Sequence, residues 1–262
     1  MRLPLTSSLL LAALSCTPSC FAVAPEASGI SLSQFRIIYP GADTKGVTWS
    51  LTNNTDRAWL IQSWMRPVDF TTGLPMPETE SSASSAKIPF LVTPPLKRVD
   101  AGEGMTLRIR LTELSLPKDR ESVFYLSVKA IPAITDSDSA SNGKLVVAVV
   151  NNIKLFYRPE GLPAGGVKKA AAQLRFSRQG ESLVVDNPTP FYINFSQVTV
   201  GGKPISADGL RKLVPPYSQQ RYDLVKGMSG PVEWQVLDED HRPTPLQHQA
   251  LKHHEEPSVN AR

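Results

Sequence analysis

The sequence predicts an all-β protein of two sandwich domains, and three observations carry that expectation. Short apolar and β-branched runs recur between clusters of turn-forming residues along most of the chain. No long stretch places apolar residues at helical spacing with caps to match. The 262 residues, with 23 Pro and 16 Gly, suffice for two domains of ordinary size, each able to bury a core of its own.

Taken in chain order, the first element is an export signal over residues 1–22. Arg2 gives it a positive start, Leu9 to Leu14 form its apolar stretch, and Cys20-Phe21-Ala22 supplies small residues at a cleavage site. The segment is too short to span a bilayer. A cut after Ala24 would leave Pro25 just past it, so the bond after Ala22 is favoured. Either cut removes Cys16 and Cys20, which are the two cysteines of the chain. An exported, soluble domain pair held without disulfides is expected.

Strand-like runs then follow at Ile30–Tyr39, Gly46–Thr52, Trp59–Trp64, Met105–Leu111, Val123–Ala130 and Leu145–Tyr157. They resume at Leu174–Phe176, Leu183–Val185, Tyr192–Val200 and Val232–Leu237. Thr71 to Pro77, the Ser/Ala patch from Glu80 to Ala86, and Ile134 to Lys144 read as loops, the last as a long hairpin loop. Two prolines and three glycines interrupt the pattern at Arg158 to Gly166, which sets a first domain at residues 23–158 and a second at 159–246. From Gln247 to Arg262 the chain is polar without alternation and reads as a frayed tail.

Composition excludes several classes. With 41% hydrophobic and 20% charged residues, the chain is neither a disordered polyelectrolyte nor an integral membrane protein. The net charge of +4 is spread without a long basic run, so no nucleic-acid partner is expected. No nucleophile elbow, dinucleotide fingerprint, P-loop or zinc-protease motif occurs, and Gly227-Met-Ser-Gly230 falls short of an elbow. His241, His248, His253 and His254, the last two beside Glu255 and Glu256, read as part of a solvated end rather than a metal site. Neither enzyme activity, nor a cofactor, nor a metal is expected.

The most informative stretch is Leu145 to Tyr157, apolar at both parities over its first half and longer than a typical strand. Either a central strand buried on both faces, or a strand with one face left to meet something else, accounts for it. Lys154 interrupts its apolar second half, where a cation marks a snorkelling side chain or an anion site.

Asn152-Ile-Lys-Leu-Phe-Tyr-Arg-Pro159 resembles the signature of periplasmic chaperones that assemble pili by the chaperone–usher route. Phe35-Arg-Ile-Ile-Tyr39, Phe90-Leu-Val-Thr-Pro-Pro95 with Arg98, and Leu116 to Ser122 leading to Phe124 and Ile131-Pro132 fit that family in order. Asn187-Pro-Thr-Pro-Phe191 with Asn194 is similar to its second domain. The resemblance implies two immunoglobulin-like sandwiches in an L or boomerang arrangement, located in the periplasm. It also implies pilus subunits and an outer-membrane usher as partners, no membrane insertion, and self-association of the subunit-free chain as a further expectation. The donated strand would be the last of the first domain, presenting Leu145, Val147 and Val149 to the subunit. Arg36 and Lys154 would grip the subunit's C-terminal carboxylate.

Lys154 has the opposite parity to those three residues, which strand twist or a bulge near Asn151-Asn152 would reconcile. By the same resemblance Arg158 bridges acidic residues of both domains, with Glu121 and Asp238 as partners and Asp240 as a substitute. The usual Gly-containing turn is replaced here by Leu237-Asp-Glu-Asp-His241. Thr93-Pro94 matches a turn in which the proline is often cis. A short loop before the donor strand and no mature cysteine pair resemble the branch serving rod-like pili. A structural pilus subunit or adhesin is the alternative reading.

Overall fold

The computed structural model describes residues 29–77, 88–133 and 147–253. The export segment, the Ser/Ala patch from Glu80 to Ala86, the loop from Ile134 to Lys144, Leu145, and the chain beyond His253 lie outside the described residues.

The first sandwich is built from β1 (Ile30–Leu32), β2 (Arg36–Pro40), β3 (Val47–Asn53), β4 (Trp59–Arg66), β5 (Val68–Asp69), β6 (Leu74–Pro75), β7 (Phe90–Thr93), β8 (Leu96–Val99), β9 (Gly104–Leu111), β10 (Ser122–Pro132) and β11 (Val149–Arg158). One sheet runs β1-β3-β9-β7 and the other β2-β11-β10-β4-β8, while β5 and β6 form a separate hairpin. Strand β9 shows why they face each other: Met105, Leu107 and Ile109 are buried, while Thr106, Arg108 and Arg110 are exposed. One side of a pleated strand must therefore meet a second apolar layer. That layer is supplied by Ile37, Tyr39, Ile61, Leu126, Val128, Ile153 and Leu155 of the opposite sheet. The Thr93–Pro94 peptide between β7 and β8 is cis.

The second sandwich comprises α1 (Gly166–Ala171), β12 (Arg175–Gln179), β13 (Ser182–Asn187), β14 (Phe195–Val200), β15 (Lys203–Pro204), α2 (Ala207–Arg211), β16 (Ser218–Asp223), β17 (Val232–Val236), β18 (Gln247–Gln249) and β19 (Lys252–His253). Its sheets run β16-β13-β12-β19 and β15-β14-β17-β18. Phe176, Leu183, Val185 and Tyr222 from the first meet Val198, Val200, Val232, Trp234 and Val236 from the second. Trp234 lies 4.4 Å from Phe176 between ring centroids and donates its indole N–H to the carbonyl of Ala171.

Two features depart from the sequence reading. The short helices α1 and α2 were not expected, because one or two turns carry too few residues for a helical period to show. Helix α1 enters where a Cβ on Gly166 would fall 2.1 Å from the Phe191 ring, so only glycine admits this approach. The stretch from Gln247 to His253 is not a frayed tail but two edge strands, antiparallel to Val232–Trp234 and parallel to Ser177–Arg178. Edge strands hold through backbone pairing and need no apolar alternation. Here Gln249 adds a bridge, donating to the carbonyl of Phe176 at 2.9 Å and accepting from its N–H at 3.3 Å.

A third apolar cluster lies where the sandwiches meet: Val68, Val123, Tyr125, Phe156 and Leu213, flanked by Ile38 and Tyr192. The β5–β6 hairpin reaches the end of α2, where Gly73 (φ 74°) sits so close that a Cβ would fall 2.1 Å from the Arg211 carbonyl oxygen. Tyr125 donates its hydroxyl to the Gly73 carbonyl at 2.6 Å.

Candidate functional site

Strands β2 and β11 run parallel, with Arg36 opposite Lys154, Ile37 opposite Leu155 and Ile38 opposite Phe156. Side chains in one row of a parallel ladder share a face. Ile37 and Leu155 therefore enter the core, and Arg36, Lys154 and Phe156 stand on the side turned to the second sandwich. There they line a cleft of about 220 Å³ with Phe35, Tyr125, Asn152, Asn194 and His241.

Arg36 is 4% exposed. Its guanidinium lies 3.9 Å from the Phe156 ring centroid and donates one bond, 3.0 Å long, to the carbonyl of Leu237. Its Nε and Nη2 are buried and have no hydrogen-bond partner among the described residues. Lys154 donates to Asn194 Oδ1 at 2.8 Å. Burial pushes the Arg36 guanidinium down to about 10, against the opposing pull of Glu121 and Glu239. Burial, helped by the charge of Arg36, brings the Lys154 ammonium down to about 8. Two desolvated cations side by side, one with unused donors, form a site whose complement is an anion with two oxygens.

The same place marks the end of a pairing. Beyond Lys154, β2 stops, and Val149 to Ile153 pair with β10 alone among the described residues. One backbone edge of β11 is open over about 17 Å at 3.3 Å per residue. Val147 and Val149 are 57% and 50% exposed, and Val150, on the opposite face, is 41% exposed. Among the described residues, nothing covers either face of this end of the strand. The ladder from Ala130–Val149 to Ser122–Tyr157 runs without a shift, so no bulge at Asn151-Asn152 reconciles the parities. Val149 stays on the face of Ile153 and Leu155, and Lys154 on the other. Leu145 lies outside the described residues.

Arg158 closes the far end of β11. Its Nε and Nη2 donate to Glu121 Oε1 at 3.0 and 2.8 Å, and Nη2 lies 3.1 Å from Glu239 Oε1. Glu121 Oε2 accepts the backbone N–H of Tyr192 at 2.9 Å, so a single carboxylate joins the last strand of the first sandwich to the backbone of the second. The acid of the second sandwich is Glu239, not Asp238 or Asp240. Asp238 Oδ1 instead accepts the N–H groups of Asp240 and Arg242, closing its own turn.

His241 was grouped with a solvated polar end; it is exposed, but it stands on the turn after β17 and lines the cleft. It occupies a left-handed conformation (φ 61°), with its ring 6.1 Å from Phe35. The sequence signal that could have found it is the substitution of a side chain where a turn of this kind calls for glycine. His248 is exposed on β18, and His254, Glu255 and Glu256 lie outside the described residues. Among the described residues no helix is long and apolar enough to cross a membrane.

Comparison with known proteins matches both sandwiches. Residues 29–163 match the pili and flagellar-assembly chaperone PapD N-terminal domain, and residues 169–240 match the pili assembly chaperone PapD C-terminal domain. The probable fimbrial chaperone LpfB of Escherichia coli O157:H7 is 41% identical over 184 residues, 70% of this chain and 72% of that protein. Among solved structures, that of the Salmonella enterica SafA pilin in complex with the SafB chaperone aligns with a TM-score of 0.70 at 30% identity, over 87% of this chain and 99% of that one. The periplasmic chaperone SfaE aligns with a TM-score of 0.64 at 28% identity, over 86% and 100%. With both of its sandwiches matched in order, the chain belongs to the PapD-like family of pilus assembly chaperones.

Proposed function

We propose that the chain works in the periplasm, captures pilus subunits by adding β11 to an incomplete subunit sheet, and delivers them to an outer-membrane usher. The short-loop branch is part of this reading, supported by the sequence length between Pro132 and Val149 and by the absence of cysteine after residue 20. The observation that carries the proposal is the coincidence of the Arg36–Lys154 pair with the point where the β11 edge opens. A subunit's terminal carboxylate anchored on the two cations would set its last strand in register along Val149 to Ile153. Val149 and Val147 extend the core face of β11, so they would fill the gap in the subunit's own core, each contributing about 1.5–3 kcal/mol. Complex formation by the SafB chaperone with the SafA pilin supports the same reading.

Parity gives the direct test. Val149→Lys is expected to weaken subunit binding at least a hundredfold, because a charge enters an apolar groove without a partner. Val150→Lys, on the other face, has a smaller effect, and Val225→Lys, at a 70% exposed position of the second sandwich, has none. Titration of purified subunit–chaperone pairs by calorimetry measures all three. Equal losses at Val149 and Val225 would remove β11 from its proposed role.

The pH dependence follows from Lys154. Its free ammonium loses its proton near pH 8, and a bound carboxylate raises that value, so above pH 8 binding must take up a proton. The Lys154 contribution to affinity is constant below pH 8 and falls by up to about tenfold per pH unit above it, until the bound value is passed. Lys154→Arg should abolish this decline, since a guanidinium stays charged throughout. An unchanged slope in that variant would disconnect Lys154 from the bound anion.

A further inference from the structure

We propose that His241 is a third ligand of the subunit's terminal carboxylate, one that carries an exchangeable proton, and this rests on the carboxylate reading above. His241 lines the same cleft as Arg36, Lys154 and Asn194. It stands on the turn that follows β17, whose Leu237 carbonyl is the acceptor for Arg36. The backbone there is left-handed, a conformation that glycine adopts freely and a side chain only with strain. Histidine is among the residues that tolerate it best, and here the position directs an imidazole beside a buried guanidinium with two unused donor atoms.

The groups around the imidazole are known. Arg36 comes from β2, Lys154 from β11, Tyr125 from β10, Asn194 from the approach to β14, and Asp238, Glu239, Asp240 and Arg242 from its own turn. Burial first, then the charges of Arg36 and Lys154, hold the imidazole below its usual range, against Asp238. A carboxylate placed among the three shifts the imidazole back up, because its negative charge offsets part of the field of the two cations at the ring. Binding and protonation of His241 are then linked. Affinity rises as pH falls from the bound to the free value of the imidazole, and levels off below it. The lower end of this window lies below the usual imidazole range, apart from the Lys154 window above pH 8.

The test uses the mature chain and two peptides of alternating Val and Thr, one ending in a free α-carboxylate and the other in an amide. Above pH 5 the peptide carboxylate is ionised, so it contributes no slope. Calorimetry at pH 5.5, 6.5 and 7.5 is expected to show the acid peptide gaining several-fold in affinity toward low pH, by up to about tenfold per unit. The His241 ring resonances should titrate at higher pH with the acid peptide than with the amide, a change that a merely structural side chain would not show. His241→Asn, which keeps the left-handed turn, should retain the preference for the acid at pH 7.5 and lose the slope. His241→Arg should bind the acid tightly at all three pH values. If the slope survives in His241→Asn, the histidine assignment is wrong while the carboxylate reading stands. If wild type does not distinguish acid from amide at any pH, the carboxylate reading falls and the histidine with it.

Discussion

Arg36→Ala and Lys154→Ala are each expected to leave a folded protein that no longer accumulates subunit. Both side chains stand on one face at the closed end of the β2–β11 pairing, and truncating either removes a charge-assisted contact from a desolvated site. Such a loss is worth about 2–5 kcal/mol, enough to turn stable capture into transient encounter. Folding should survive because, among the described residues, the Arg36 side chain makes one hydrogen bond, to the Leu237 carbonyl, and that of Lys154 one, to Asn194. Subunit co-purified per mole of chaperone is the measurement, with circular dichroism as the control. Normal yields from the double variant would show that the cation pair is not the anchor.

The second large effect concerns the junction. Glu121→Ala is expected to lower stability by about 3–5 kcal/mol, the usual consequence of breaking a buried ion pair, with Glu239 left as the remaining acid beside Arg158. The loss is large because the carboxylate has two tasks, accepting from Arg158 on one oxygen and from the Tyr192 backbone on the other. Glu121→Leu with Arg158→Met should recover much of that stability, since neither charge is then stranded. Urea denaturation of the three proteins checks the ordering. A double variant no better than Glu121→Ala would mean that the Tyr192 bond, rather than the ion pair, dominates.

Much of this was legible in the sequence, and the failures have physical causes. Strands such as β9 declare themselves because one face is buried and the other wet, and the residues Arg36, Lys154, Glu121 and Arg158 came from the motifs around β2, β10 and β11. Of the two acids expected to pair with Arg158, Glu121 is in place and only the one from the second sandwich was misassigned, because Asp238, Glu239 and Asp240 stand in a tight turn. There, side-chain direction depends on local dihedral angles rather than on a period of two, and Asp238 is occupied in holding the turn. His241 was misread for the same reason. The strands β18 and β19 escaped notice because an edge strand can be held by backbone bonds and a glutamine bridge, which leave no apolar trace. The parity conflict at Lys154 dissolved once the ladder was seen to be continuous. The two faces of β11 have different neighbours, so no distortion is required.

The state of Arg36 sets stability against capture. A buried guanidinium with two nitrogen atoms unpaired carries a desolvation penalty of about 1–3 kcal/mol for each unmet group. In the proposed role, those same unmet groups are what an arriving anion would satisfy. An apolar residue of similar volume, stacked on Phe156, would suit the empty protein better and the working protein not at all. A screen for heat resistance alone would therefore select against this arginine.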